Sequence, residues 1–229
     1  MAKKTTKPAA KEPQVNLEEA LSRSEAFFQN NKNTIFTVLT AIVILIAGGM
    51  LYKSKVVIPR ENKASEYLFP GENYFRNGEY QLALEGDAYD YLGFIEIADN
   101  YSSTKAGNLA KAYAGICFAK LDSFDIAIDY LSKFKGKDQM VTPAVLGTLA
   151  DCFASTNQPS KAAETFVKAA KKADNNLLSP YYLFQAGLLY EAMEKSSQAI
   201  DMYNRIKKEY PGSIQALDAE KYLIRLSNK

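Results

Sequence analysis

The sequence predicts an all-α protein, a solenoid of helical hairpins preceded by one membrane-spanning helix. Three observations carry this. Small and aromatic residues return in one register three times along the C-terminal half. The run Ile35 to Leu51 contains no charged residue. Helix-favouring residues dominate, and the period-2 alternation that marks a strand is scarce.

Taken in chain order, residues 1–14 form a basic tail rich in Lys, Ala, Thr and Pro. Such a stretch cannot bury enough apolar surface to order itself, so it is expected to be disordered. Residues 15–33 read as a juxtamembrane amphipathic helix. Asn16 is its cap, Glu19 the capping-box partner, and Leu17, Leu21, Ser24 and Phe28 follow at helical spacing. It either lies on a membrane surface or continues toward the membrane.

Residues 34–52 are the expected transmembrane helix. Nineteen residues at helical rise span about 28 Å, close to the hydrocarbon thickness of a bilayer. A cleaved signal peptide fits less well, because the preceding tail is long and the exit is Tyr52-Lys53-Ser54-Lys55, with no small-x-small site. There is also no cysteine placed for lipidation. Charge gives an ambiguous orientation. Arg23 and Lys32 lie near the membrane on one side, and Lys53, Lys55, Arg60 and Lys63 on the other. Counted close in, this leans toward a cytoplasmic C-terminal domain, though the rule weakens where a long domain follows.

After a linker at 53–63 comes an irregular repeat-like unit, 64–107. Counting from Ala64, Tyr67 falls at position 4, Gly71 at 8, Tyr74 at 11 and Ala83 at 20. The second-helix pattern reappears at Gly93 to Tyr101 only if seven residues, roughly Leu84 to Asp90, are extra. Seven residues make two helical turns and would preserve the apolar face. Gly86-Asp87 argues instead for a loop. Pro70 predicts a kink in the first helix.

Three regular units follow, at 108–142, 143–179 and 180–213. Position 8 is Gly115, Ala150 and Gly187; position 11 is Phe118, Phe153 and Tyr190. Position 20 is Ala127, Ala162 and Ala199; position 24 is Leu131, Phe166 and Tyr203; Pro211 ends the last unit. This register is that of the tetratricopeptide repeat (TPR), in which small residues let two antiparallel helices approach and aromatics fill the space beside them. Residues 214–229 read as a capping helix, with Asp218, Glu220, Lys221 and Arg225 on its polar face.

Composition narrows the function. The net charge of +2 resides in the N-terminal tail, since residues 33–229 hold 22 basic and 22 acidic side chains. A balanced domain lacks the concentrated basic face that nucleic acid requires. There are no histidines, which removes the commonest general base and metal ligand. No phosphate loop or metal-ligand spacing is present, so neither enzyme activity nor a cofactor is expected. Cys117 and Cys152 occupy position 10 of consecutive repeats. Stacked helices place such atoms about 8–10 Å apart, too far for a disulfide, so both are expected to be free and buried.

A basic tail, one membrane helix and a TPR domain together resemble the bacterial family of single-span TPR proteins that includes the ancillary subunit of the SecYEG translocon. The stretches YLGFIEIADNYSSTKAGNLAKAYAGICFAKL and SPYYLFQAGLLYE look like the Bacteroidetes version. The resemblance implies an inner-membrane protein with a cytoplasmic N-terminus and a periplasmic TPR domain that contacts translocon components and chaperones. A TPR accessory factor of outer-membrane β-barrel assembly and a cytoplasm-facing adaptor remain as alternatives.

In TPR arrays first-helix positions 2, 5, 9, 12 and 13 line a concave groove. Here these include Leu109, Ala112, Ile116 and Lys120, then Gly147 and Asp151, then Tyr181, Phe184, Leu188 and Glu191. Small and apolar residues dominate, with no cluster of Lys or Arg to clamp a terminal carboxylate. Such a groove is expected to take an apolar or helical protein segment.

Overall fold

Every regular element among residues 17–227, which the computed structural model describes, is helical. The disordered-tail expectation, the Asn16 cap and the side chains of Leu17, Glu19, Leu21, Ser24 and Phe28 lie outside the described residues. The chain divides into two units at Val56/Val57.

The first unit carries α1, Leu17–Tyr52, followed by a π turn at Lys53–Val57. The described apolar side chains of α1 are mostly exposed. Phe36, Leu45 and Met50 are 68%, 74% and 68% exposed. Water makes such a surface unfavourable at about 25 cal/mol per Å². The hydroxyls of Thr37 and Thr40 donate to the carbonyls of Asn33 and Phe36, both at 2.8 Å, so neither leaves an unsatisfied group in an apolar surrounding. By length and composition α1 suits a membrane span.

The second unit opens with α2, Ile58–Asn77, so the stretch expected as a linker at 53–63 is helical throughout. Its residues 60 and 61 are tied into the domain. Arg60 donates to the carbonyl of Asn100 at the C-terminal end of α4 (Gly93–Asn100). Glu61 accepts from the N–H groups of Lys105 and Ala106, at 2.8 and 2.9 Å, where α5 (Lys105–Lys120) begins. A cation at a helix C-terminus and an anion at a helix N-terminus both match the backbone dipoles. Pro70 does not interrupt α2, which runs as one element to Gly78.

Between α3 (Tyr80–Glu85) and α4 the seven extra residues form a loop, not two helical turns. Gly86 and Gly93 turn the chain with φ of +90° and +84°, a region open to glycine. The Asp87 carboxylate accepts from the N–H groups of Tyr89, Asp90 and Tyr91 at 2.9–3.1 Å and from the Tyr74 hydroxyl at 2.8 Å. Bonds from the Tyr91 backbone and the Tyr74 hydroxyl hold the Asp87 pKa below the usual carboxylate range. Beyond the loop the repeat register resumes. A Cβ on Gly71, at position 8, would lie 2.7 Å from the ring of Phe94, which stands at position 24 once the insertion is discounted.

The regular repeats are α5 with α6 (Phe124–Lys133), α7 (Val141–Ser155) with α8 (Pro159–Ala173), and α9 (Leu178–Ala192) with α10 (Ser196–Glu209). The motif residues meet as steric reasoning requires. A Cβ on Gly115 would stand 2.5 Å from Leu131, and one on Gly187 2.6 Å from the Tyr203 ring. All four position-20 alanines, Ala83, Ala127, Ala162 and Ala199, are fully buried. Asp138 caps α7: burial alone would raise its carboxyl, but bonds from the Thr142 hydroxyl and the N–H groups of Met140, Thr142 and Val141 bring it down to about 2. That cap is fully formed above the unfolded value near 4 and is lost as pH falls toward 2.

A further periodicity lies in the hairpin turns. Position 15 is Gly78, Asp122, Asn157 and Glu194, and all four have left-handed backbone, φ +80°, +56°, +57° and +59°. Each unit thus reverses direction through the same conformation. Only glycine adopts it without steric cost; other residues lose about 1–2 kcal/mol. A Cβ on Gly78 would meet no atom within 4 Å, so Gly78→Ala isolates this backbone term. Urea unfolding of Gly78→Ala should show a loss of about 1 kcal/mol. Gly212→Ala, equally open but without positive φ, should show no loss.

Candidate docking groove

The groove positions lie on α5, α7 and α9, which the hairpin packing places as successive first helices. Their exposures differ sharply. On α5, Ala112 is buried, Leu109 and Ile116 are half-buried against the cores on either side, and Lys120 is exposed. On α7, Gly147 is covered by Tyr182 of the next repeat, whose ring would stand 2.6 Å from an added Cβ. Ala112 and Gly147 therefore present no side chain to a ligand. Asp151, Ala154 and Ser155 are exposed.

On α9, Tyr181 is 42% exposed, and Leu188 is half-buried. Phe184 packs against Tyr203 at 5.7 Å and against Tyr222 of α11 (Ile214–Ser227) at 5.2 Å. Glu191 is also taken: Arg225 of α11 donates to one carboxylate oxygen, and the Tyr203 hydroxyl, 3.4 Å away, to the other. Arg225 in turn stacks on Tyr222, 4.3 Å from the ring centroid. The last helix thus closes on Phe184 and Glu191. Of the expected positions, Leu109, Ile116, Lys120, Asp151, Tyr181 and Leu188 keep exposed or half-buried side chains that α11 does not engage.

Electrostatically this strip is mild. Crowding by neighbours raises the pKa of Asp151, although its side chain reaches solvent, and the charge of Lys120 on the preceding first helix opposes the rise. No basic cluster stands among the six. The two cysteines are free and buried, and burial pushes their thiols up, to about 12 at Cys117 and about 11 at Cys152. Neither is a reactive nucleophile.

A second concavity escaped the sequence reasoning. The insertion loop and α2 enclose a cleft lined by Glu66, Tyr67, Pro70, Tyr89 and Asp90. Tyr89 stands 90% exposed at the loop tip. Gly86-Asp87 was the only sequence signal, and it marked a break without showing what the loop faces.

A family model for the tetratricopeptide repeat matches residues 181–213, which cover α9, α10 and the Pro211 stop. The chain matches none of the curated proteins. With helices throughout the described residues and the repeat packing above, the fold is an all-α TPR solenoid with one N-terminal helix apolar enough to cross a membrane. The TPR is a protein-interaction repeat.

The placement of Phe184 and Tyr181 separates folding from docking. Phe184→Ala should cost about 2 kcal/mol or more, below the 3–5 of a fully buried Phe. Tyr181→Ala should cost about 1 kcal/mol or less. Thermal unfolding of the two variants checks this; equal losses would mean Tyr181 is a core residue as well.

Proposed function

We propose that this chain is a membrane-anchored scaffold of the bacterial cell envelope whose TPR domain lies in the periplasm and serves the Sec translocon and its chaperone network. The observation that carries the reading is the combination of α1, long and apolar enough to cross a membrane, with a TPR domain whose first-helix strip offers Ile116, Tyr181 and Leu188 and no basic cluster. Residues 34–52 span the inner membrane, residues 1–33 stay in the cytoplasm, and the domain takes a segment of another protein along Ile116, Tyr181 and Leu188. The absence of a carboxylate clamp favours an internal or helical segment over a free C-terminus. Lys53, Lys55, Arg60 and Lys63 favour a second reading, a cytoplasm-facing adaptor.

Topology separates the two. Alkaline phosphatase fused after Lys229 is active only once exported, so an active fusion supports the periplasmic assignment. An inactive fusion, with an active cytoplasmic reporter at the same position, overturns it and leaves the adaptor. Given export, translocon subunits should co-purify with the wild type and fall at least tenfold with Tyr181→Asp. Co-purification of the β-barrel machinery in their place would overturn the translocon assignment.

A further inference from the structure

The last helix has an apolar face that the capping role does not explain. A 34-residue count from Pro180 makes Ile214 position 1 of a further unit, so Leu217 is at position 4, Lys221 at 8 and Ile224 at 11. The packing agrees: α11 rests on α10 and α9, as α7 rests on α6 and α5. Among the described residues it is a first helix without a second. In the last hairpin, positions 4, 8 and 11 lie on the inner side of the first helix, where Gly187 meets Tyr203 of the second. On α9 these are Leu183, Gly187 and Tyr190, all buried. On α11 the same face is open, with Ile214, Leu217 and Ile224 exposed by 77%, 69% and 58%. Of the polar residues expected on the outer face, Lys221 stands on this stripe, whereas Glu220 and Arg225 turn away from it. Glu220 pairs with Lys207 of α10 at 3.0 Å, and Arg225 reaches Glu191 of α9.

A TPR second helix does not fit this face. Position 8 must be small for close approach, and here it is Lys221. What does fit is another α11. The stripe 214/217/221/224 has palindromic spacing about Ala219. An antiparallel pair of α11 helices related by a two-fold axis at the level of Ala219, on the opposite, open face, sets Ile214 against Ile224 of the second copy. The aliphatic stem of Lys221 then covers Leu217 of the second copy, and its ammonium falls beside Asp218 of that copy. Within one chain Lys221 and Asp218 already pair at 3.0 Å, but their side chains are 75% and 43% exposed, so the pair is free to exchange partners. Apolar residues meet apolar ones and each cation meets an anion, as an isologous contact requires.

We infer that α11 is a dimerisation helix, pairing antiparallel with α11 of a second copy of this chain through Ile214, Leu217, Lys221 and Ile224. The contact is small, of the scale of one helix face. Tethering both copies to one membrane raises their effective concentration and offsets the limited area.

The test uses the full-length chain in membranes, with Leu217→Cys in one epitope-tagged copy and Lys221→Cys in a differently tagged one. Native Cys117 and Cys152 are buried, so the engineered thiols are the ones that oxidise. Copper-phenanthroline oxidation should give a mixed disulfide dimer in higher yield than either single variant gives alone. Adding Ile214→Asp to both copies should lower that yield at least tenfold while leaving circular dichroism unchanged. A mixed yield no higher than the single-variant yields overturns the pairing. So does an equal yield from Asn204→Cys on exposed α10, which would report random collision. An adduct only with a different protein would also overturn it, assigning the face to another partner.

Discussion

The close approach of two antiparallel helices at position 8 is the contact on which the rest of the molecule depends. Gly115 and Gly187 leave no room for a side chain beneath Leu131 and Tyr203, and Gly71 leaves none beneath Phe94. With that spacing fixed, the position-20 alanines become fully buried and the position-24 side chains fill the hairpin. First helices are then set side by side, and the strip they share is a consequence of hairpin geometry. The same contact accounts for the irregular first unit. Its second helix is broken into α3 and α4, yet Phe94 returns to Gly71 because the loop between them begins and ends in glycines and closes on Asp87.

The two ends of the solenoid solve different problems. At the N-terminal end, Arg60 and Glu61 join α2 to the α4–α5 junction, so the domain begins directly after the π turn. At the far end α11 covers the last hairpin through Tyr222, Arg225 and Glu220, and thereby withdraws Phe184 and Glu191 from the groove. A stack of identical units always leaves one face open. Among the described residues that face lies on α11, where Ile214, Leu217 and Ile224 are exposed.

How much of this was legible in the sequence follows from what each feature requires. Positions 8, 11, 20 and 24 were readable because each admits few side chains. The insertion was located, but its form was not: seven residues preserve helical phase, so periodicity could not distinguish two turns from a loop, and Asp87 decided it through contacts with Tyr74 and Tyr91. The left-handed residue at position 15 was hidden by its variety, since Gly78, Asp122, Asn157 and Glu194 share a conformation and no chemistry. Groove burial was beyond reach because Gly147 is covered by Tyr182 and Phe184 by Tyr222, each from a later element. On α11, apolar residues at 214, 217 and 224 and at 216, 219, 222, 223 and 226 make two stripes, and sequence alone does not say which turns inward.

The most direct test of the packing account is a double-mutant cycle between Gly187→Ala and Tyr203→Ala, measured by urea unfolding. Gly187→Ala places a methyl group 2.6 Å from the Tyr203 ring and should destabilise the wild type; removing the ring should make room for it. The account predicts that Gly187→Ala costs less in the Tyr203→Ala background, with a coupling energy of about 0.5–3 kcal/mol. Additive effects, equal to within about 0.3 kcal/mol, would contradict the claim that these two positions set the hairpin spacing.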